Sequence, residues 1–260
     1  IIFAVTNILF MQILLACAKI MTDKVVYEVP TCTEPVFQKE SNDIALFMSE
    51  RSVEELTDMF NCKRNIAVEN KLRFERFFDV QHRLPAILAY NGQAYKCLQS
   101  LSLSSSDLVY AQNHLWITSF LYGMLRPLDK ISLYRMEGNI EYNGDTIFNF
   151  WKRRLTDLLI DSVKADDGIL VNLASEEMKS LFDWKRVSAE VKVIEPEFMV
   201  QKNGKLKTIV VYAKSCRGAM TRFIIKNRLT QPAELQCFEY EGFHFAAEYG
   251  DEMHPYFVVD

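Results

Sequence analysis

An Asn203-Gly204 dipeptide between two predicted strands places the strongest constraint on the fold of this 260-residue chain. The flanking runs are Glu197 to Val200 and Lys207 to Tyr212, and Asn-Gly is the preferred pair for a two-residue β-hairpin turn. An antiparallel hairpin is incompatible with a purely parallel, doubly wound sheet. The sequence therefore predicts a mixed sheet that contains this hairpin.

Helical and strand patterns alternate irregularly along the rest of the chain. A capping-box pattern begins at Ser52, and the amphipathic stretch from Thr146 to Val163 is the clearest helix. Further helices are predicted at 65–78, 106–115 and 215–229, and further strands at 12–18, 86–90, 169–173, 238–245 and 256–259. This mixture predicts one α+β domain over residues 11–260, with helices surrounding the sheet.

The first eighteen residues carry no charge and allow two interpretations. Leu14 to Cys17 resembles a lipoprotein cleavage site, but no basic region precedes Ile1, as a signal peptide would require. Alternatively, Met11 is the natural start, residues 1–10 are a non-native or upstream extension, and Gln12 to Ala18 forms a buried strand. We favour the second interpretation.

Charge is distributed unevenly along the chain. Residues 201–230 contain eight basic residues and no Asp or Glu, although the formal net charge of the chain is −4. The segment that follows is acidic, so the basic residues are either solvated, paired with that segment, or arranged to bind phosphate. The absence of carboxylates from the basic segment favours phosphate binding. Free backbone N–H groups at the predicted helix start, Ser215, would add an anion site.

Familiar catalytic signatures are absent from the sequence, including the P-loop, G-x-S-x-G, H-E-x-x-H and G-x-G-x-x-G patterns. The six cysteines and four histidines show no zinc-ligand spacing. The sequence therefore predicts no metal and no cofactor, and it favours a protein that is not an enzyme. Widely spaced cysteines indicate free thiols and a cytoplasmic location, without a membrane partner.

A second cluster of arginines and tyrosines lies between Leu121 and Glu137. Because Arg126 precedes Pro127, it is held out of helical conformation. A turn of this kind can bind phosphate or stack on a base. The alternative is that Arg126 pairs with Asp129 while Tyr122 belongs to the core.

Several motifs together resemble the YaaA family of bacterial peroxide stress resistance proteins. They are Met11 to Lys19, Leu121 to Asp129, Asn172 to Glu176, Tyr212 to Gly218, Arg222 to Ile224 and Glu241 to Phe245. The resemblance implies a cytoplasmic α+β protein with a basic cleft that binds duplex or branched DNA independently of sequence. It also implies DNA protection during hydrogen peroxide stress and a link to lowered free intracellular iron.

The resemblance and the charge pattern together predict a set of DNA-binding residues. These are Lys19, Tyr122, Arg126, Arg135, Lys214, Arg217, Arg222 and Arg228. Gly123, Asn172, Ser175 and Glu241 also match family motifs.

The chain departs from the family pattern at two motifs. The first motif usually reads Ser-Pro-Ala-Lys, whereas Ala16-Cys17 precedes Ala18-Lys19 here, which leaves Lys19 as the charged position. The family also carries a helix-hairpin-helix DNA motif, expected around residues 120–123, where Phe120 replaces the first glycine. A hairpin whose N–H groups approach phosphate needs small residues, so the 201–230 segment becomes the stronger candidate.

Two further hypotheses compete with DNA binding. An enzyme could hold a phosphorylated or nucleic-acid substrate in the same cleft, with Lys19, Arg126, Lys214 and Arg217 stabilising developing charge. An iron-handling protein would need ligand patterns such as Glu-x-x-His, which the sequence lacks.

Overall fold

A computed structural model describes residues 9–25 and 28–260 of the chain. Its helices are α1 (Gln38–Ser49), α2 (Val53–Met59), α3 (Arg64–Glu75), α4 (Ala86–Ala89), α5 (Gln93–Leu98), α6 (Ser105–His114), α7 (Ile147–Lys164), α8 (Glu176–Lys179), α9 (Trp184–Glu190) and α10 (Val210–Asn227). Its strands are β1 (Gln12–Ala16), β2 (Leu84–Pro85), β3 (Leu115–Ser119), β4 (Gly123–Leu125), β5 (Lys130–Ile131), β6 (Glu141–Tyr142), β7 (Asp145–Thr146), β8 (Ile169–Leu173), β9 (Lys192–Ile194), β10 (Glu197–Lys202), β11 (Lys205–Lys207), β12 (His244–Gly250) and β13 (Pro255–Val259). Helices and mixed sheets combine in one α+β fold, as predicted.

The central sheet has five strands in the order β4-β3-β1-β8-β9. Strands β3, β1, β8 and β9 run parallel, and β4 pairs with β3 in the antiparallel direction. Strand β1 is the centre of the core, because Ile13 and Leu14 are fully buried between its neighbours. The predicted strands at 12–18 and 169–173 are confirmed as β1 and β8. Residues 1–8, the greater part of the predicted extension, lie outside the described residues.

The predicted hairpin is confirmed, but it belongs to a second sheet with the order β11-β10-β13-β12. Strands β10 and β11 pair in register around the turn, where Asn203 has φ 52° and Gly204 has φ 69°. Two consecutive positive φ angles are the geometry that selects Asn-Gly at such a turn. The hairpin therefore forms for the local reason that the sequence indicated.

Cap geometry reproduces two predicted helix starts, at Ser52 and Thr146, and begins the helix predicted at 106–115 slightly earlier, at Ser105. Ser52 caps α2 through a capping box with Glu55, and Ser104 caps α6 through a capping box with Asp107. The Thr146 hydroxyl accepts a hydrogen bond from the backbone N–H of Asn149 at the start of α7. Capping side chains act within one turn, so these helix starts can be read from short sequence patterns.

Other predicted elements were wrong. Residues 86–90 form helix α4 and a bridging residue rather than a strand, because a short apolar run does not distinguish a buried helix from a strand. Strand β11 ends at Lys207, and α10 already begins at Val210. Residues 120–122 form the turn of the β3–β4 hairpin, so the expected helix-hairpin-helix motif is absent from this position.

One continuous apolar cluster joins the two sheets, from Ile13 in the first to Phe257 in the second. Phe223 of α10 contacts Phe238, which in turn contacts Phe198 and Phe257 of the second sheet. Helix α10 therefore packs between the two sheets. Within residues 9–25 and 28–260, no helix has the length and apolar character that crossing a membrane requires.

Candidate functional site

A cleft of about 520 Å³ lies beyond the carboxyl ends of the parallel strands. Its lining includes Ala16 and Cys17 from the end of β1, Phe120 after β3, and Leu173 and Ser175 around the end of β8. Strand order changes direction at β1, with β3 and β4 on one side and β8 and β9 on the other. Crevices at such switch points are where parallel sheets bind ligands. We call this space the carboxyl-edge cleft.

Helices α5 and α10 form one wall of the carboxyl-edge cleft because they pack unusually closely. A Cβ atom at Gly218 would overlap the carbonyl group of Ala94, so only glycine allows this approach. The Gln93 amide donates a hydrogen bond of 2.8 Å to the Ser215 hydroxyl across the same interface. This contact fixes the part of α10 that carries Lys214 and Arg217.

Four of the predicted DNA-binding residues line the carboxyl-edge cleft: Lys19, Arg135, Lys214 and Arg217. Lys19 and Arg135 both pair with Glu137, at Nζ–Oε2 2.6 Å and Nη2–Oε1 2.9 Å. One carboxylate therefore neutralises two cations at this side of the cleft. The side chain of Lys19 remains 50% exposed, so it still reaches solvent at the mouth.

Lys214 and Arg217 differ from that pair because no described residue forms an ion pair with either. They lie three residues apart on α10, so they share one face of the helix. Burial lowers the pKa of Arg217, and the nearby Glu197 carboxylate opposes this effect. Neither cation is neutralised by a direct ion pair, although Glu177 also lines the cleft and Glu176 and Glu195 lie near Arg217.

The buried phenol and thiol groups at the carboxyl-edge cleft are uncharged at neutral pH. Tyr134 shares hydrogen bonds of 2.7 Å with Tyr90 and with Ser119, and burial raises the pKa of both phenols well above their ordinary value. Burial, followed by the charge of Glu177, raises the pKa of the Cys17 thiol to about 12. Because nucleophilic cysteines act as thiolates, this protonated thiol lacks the usual activation of a reactive cysteine.

The structure corrects the predicted roles of Tyr122 and Arg126. Tyr122 is fully buried and its phenol oxygen accepts a hydrogen bond from Ser132 N–H, so it is unavailable for stacking on a base. The Arg126 guanidinium lies 3.5 Å from the ring centroid of Trp116 and donates to Gln12. Arg126 lies at the amino ends of β1 and β3, away from the carboxyl-edge cleft. The Arg126 guanidinium does not form an ion pair with Asp129. The Asp129 carboxylate instead accepts a hydrogen bond from the backbone N–H of Arg126.

Arg222 and Arg228 also lie outside the cleft lining and have local partners. Arg222 donates to the backbone carbonyl oxygens of Leu98 and Gln99. Arg228 pairs with Asp107 at 2.9 Å, as does Lys226. The ion pairs of the basic segment are therefore made with Asp107, and the alternative of pairing with the acidic C-terminal segment was wrong for these residues.

The predicted anion site at Ser215 was also wrong. Ser215 lies in the second turn of α10, where its hydroxyl donates to the carbonyl oxygen of Val211. The helix begins five residues earlier than predicted, and Val210 and Val211 line the cleft with apolar side chains. The β-branched run at 209–211 is typical of a strand, and tertiary packing overrides that preference.

Sequence reasoning missed the neutralising carboxylate and the apolar half of the cleft. Glu137 lies two residues beyond Arg135, so its ion pair with Arg135 could have been anticipated from the local sequence. The strongest overlooked signal was positional: residues that follow two parallel core strands meet at the same sheet edge. Once β1 and β8 are recognised as neighbours, that rule places residues 17–19, which follow β1, beside Ser175, which follows β8.

Comparison with known proteins agrees with the motif resemblance. The sequence profile described as "Peroxide stress protein YaaA" matches residues 11–249. A UPF0246 protein of Bacteroides thetaiotaomicron is 50% identical over 252 residues, covering 95% of this chain and 98% of the relative. UPF0246 proteins of Phocaeicola vulgatus and Porphyromonas gingivalis are 51% and 44% identical, and each covers 96% of this chain, with 99% and 100% of the relative covered. The chain therefore belongs to the peroxide stress protein YaaA family, which supports a role in peroxide stress.

Proposed function

We propose that this chain is a cytoplasmic DNA-binding protein of the hydrogen peroxide response, and that the carboxyl-edge cleft contacts DNA phosphates. The observation that carries the proposal is the pair Lys214 and Arg217, which line the cleft without an ion-pair partner among the described residues. Lys19 and Arg135 add charge from a second side, reduced by Glu137. Phosphate binding by clustered cations is largely independent of base sequence.

The four cations set the expected salt dependence of binding. Each neutralised phosphate contributes about −0.9 to the slope of log affinity against log salt concentration, so four contacts predict a slope of at most about −3.6. The seven cations in the set predicted from the sequence would give a slope of about −6.3. The structure of the cleft therefore supports a smaller footprint than the sequence did.

The test is an equilibrium titration of a short duplex at several salt concentrations. A Lys214→Ala/Arg217→Ala variant should reduce the slope by about 2 units and weaken binding at low salt. The matched control is Lys39→Ala/Lys185→Ala, because both lysines are exposed and have no ion pair with a described residue. A slope unchanged by the cleft variant, or no duplex binding by the wild type at low salt, would reject the proposal.

A second candidate function is catalysis on a phosphorylated or nucleic-acid substrate in the same cleft. The observation in its favour is the volume of about 520 Å³, which falls within the range of small-molecule sites. A cleft of this size encloses a nucleotide-sized group, while a duplex would lie across its mouth. Turnover of labelled DNA or nucleotides that is lost in Lys214→Ala would favour catalysis, and its absence in the wild type would reject it.

The proposed link to intracellular iron is tested in cells rather than on the purified protein. Cells that lack the protein are expected to hold more free iron after peroxide exposure. Complementation with the Lys214→Ala/Arg217→Ala variant asks whether the cleft is needed for this effect. Full complementation by that variant would separate the iron link from phosphate binding.

A further inference from the structure

The β10–β11 hairpin carries three lysines on one face. Lys202 lies directly opposite Lys205, and Lys207 follows two residues later on the same strand. Cross-strand partners share a face, and so do residues two apart along a strand, at a spacing of about 7 Å. All three lysines are exposed. We call Lys202, Lys205 and Lys207 the hairpin lysines.

This arrangement is electrostatically unfavourable in the isolated protein. Like charges that face each other directly across an antiparallel pair destabilise that pair. For the hairpin lysines, the described part of the chain supplies no carboxylate within ion-pair distance. In contrast, Lys226 and Arg228 from the same basic segment share Asp107. The hairpin therefore retains three positive charges that an external anion could neutralise.

The lysine face points to the same side of the sheet as helix α10. Alternation along β10 places Lys202 on the face that carries Phe198, which is buried. The Phe198 ring contacts Phe238, and Phe238 contacts Phe223 of α10. The hairpin lysines extend this face beyond the edge of the core.

The chain connects the hairpin directly to the carboxyl-edge cleft. Strand β11 ends at Lys207, and after two residues α10 begins with Val210 and Val211, which line the cleft. Lys214 and Arg217 follow on the next turns of the same helix. Lys207 is therefore only three residues from Val210 in the cleft lining.

We infer that the hairpin lysines form a second phosphate-binding surface, which holds the DNA backbone that flanks the segment bound in the cleft. This inference rests on the proposed function, because it assigns a further contact to the same DNA ligand. Three added contacts raise the expected total from four to seven. The salt slope of the wild type on a duplex should then be about −6 rather than about −3.6.

An alternative role for the lysines is protection of an exposed sheet edge, since β11 is the edge strand of its sheet. Charged edge residues discourage pairing between copies of a protein. Edge protection requires no DNA, so it predicts aggregation of lysine variants with unchanged DNA affinity for the folded monomer. The two roles therefore give different results in one binding experiment.

The experiment compares Lys202→Ala/Lys205→Ala/Lys207→Ala with Lys39→Ala/Lys63→Ala/Lys185→Ala. The control removes the same charge from exposed lysines that have no ion pair with a described residue. Each full-length variant is titrated with a duplex and with a mononucleotide, and size-exclusion chromatography and thermal unfolding verify a folded monomer. We expect the hairpin variant to lose about 2 to 3 units of salt slope on the duplex and to bind the mononucleotide like the wild type.

Three outcomes separate the two proposals. Equal duplex affinity and slope for the hairpin and control variants would overturn the inference while leaving phosphate binding by the cleft intact. A wild type without salt-dependent duplex binding would overturn both. A hairpin variant that weakens mononucleotide and duplex binding equally would overturn the inference of a flanking contact, because the lysines would then act on the cleft itself.

Discussion

The two ends of the parallel strands hold their cations in different environments. At the carboxyl ends, Lys214 and Arg217 face a cleft without an ion-pair partner in the described part of the chain. At the amino ends, Arg126 lies on Trp116 and donates hydrogen bonds to Gln12, the Leu115 carbonyl oxygen and Ser162. An arginine at the carboxyl ends, Arg217, faces a cleft that a ligand can enter, whereas Arg126 at the amino ends is held by contacts that stabilise the fold.

This difference explains why the number of cations in a sequence overestimates a binding surface. Arg126 and Arg228 are both within cation–π distance of an aromatic ring and both donate several hydrogen bonds. Such contacts stabilise the fold and leave few N–H groups for phosphate. The availability of a cation is therefore a property of its tertiary neighbours.

The largest effect is expected from Gly218→Ala, which would separate the helices that form the cleft wall. The added methyl group meets the backbone of Ala94, which cannot move aside as a flexible side chain could. Overpacking of this kind should lower the free energy of unfolding by about 3 kcal/mol. Urea denaturation measures the loss, and Lys214→Ala on the same helix should change it by less than about 0.5 kcal/mol. Similar stability of the two variants would show that the α5–α10 contact is loose.

Arg126→Ala should lower the free energy of unfolding by about 2 to 3 kcal/mol. The substitution removes the contact with Trp116 and leaves buried acceptors such as the Leu115 carbonyl oxygen without their donor. Burial lowers the pKa of Arg126 to about 10, so the guanidinium is still charged at neutral pH. Titration of the folded variant with DNA sharpens the comparison between the two ends of the strands, because the variant should bind DNA with the same affinity as the wild type. A stable variant with weakened DNA binding would place Arg126 in the binding surface after all.

Asp107→Asn should remove about 2 kcal/mol of stability at neutral pH by leaving Lys226 and Arg228 without their shared carboxylate. Burial would raise the pKa of Asp107, but hydrogen bonds from Lys226, Ser104 and Arg228 together hold it well below its ordinary value. A carboxyl group with a lowered pKa stabilises the fold above its unfolded-state pKa of about 3.9 and loses this effect as pH falls.

The stability difference between wild type and Asp107→Asn should therefore shrink as the pH is lowered below about 4. Chemical denaturation at several pH values measures this difference. The control is Glu54→Gln, because the Glu54–Arg64 pair is solvent-exposed on both sides and should contribute less than about 1 kcal/mol. A difference that stays constant with pH would mean that the Asp107 carboxylate is not the stabilising group.

Much of the fold could be predicted where the determining contacts are local. The Asn203-Gly204 turn and the caps at Ser52 and Thr146 depend on residues within a few positions of each other. The start of α10 was misplaced, because Val210 and Val211 favour a strand locally while the packing of α10 against α5 imposes a helix. The parallel pairing of β1 with β3 and β8 joins segments about 100 or more residues apart and left no local pattern to read.

The candidate site was predictable in part for the same reason. Lys19 and the Lys214–Arg217 pair were identified from motifs, and the structure brings them to one cleft. The partners that remove Arg126 and Arg228 from the set are distant in sequence: Gln12 is 114 residues from Arg126, and Asp107 is 121 residues from Arg228. Sequence patterns identify cations, but only the tertiary structure separates the neutralised ones from the available ones.

The smallest expected effect, and the most direct test of neutralisation, comes from Glu137→Gln. Glutamine keeps the shape of the side chain but removes the charge that Lys19 and Arg135 share. The net charge of the carboxyl-edge cleft rises by one unit, so duplex affinity at low salt should increase by about threefold to tenfold and the salt slope should steepen by about 1. Equilibrium titration measures both quantities.

Glu252→Gln is the matched control, because Glu252 also pairs with a lysine, Lys192, on an exposed surface. It makes the same change in total charge at a residue that pairs with no cation of the cleft lining, so a gain confined to Glu137→Gln would locate the effect in the cleft. A loss of affinity in Glu137→Gln would instead show that the carboxylate positions Lys19 and Arg135 for phosphate, and that orientation matters more than net charge at this site. Equal gains in both variants would show that duplex binding responds to the charge of the whole protein, and the contrast between the two ends of the strands would then lose its functional meaning.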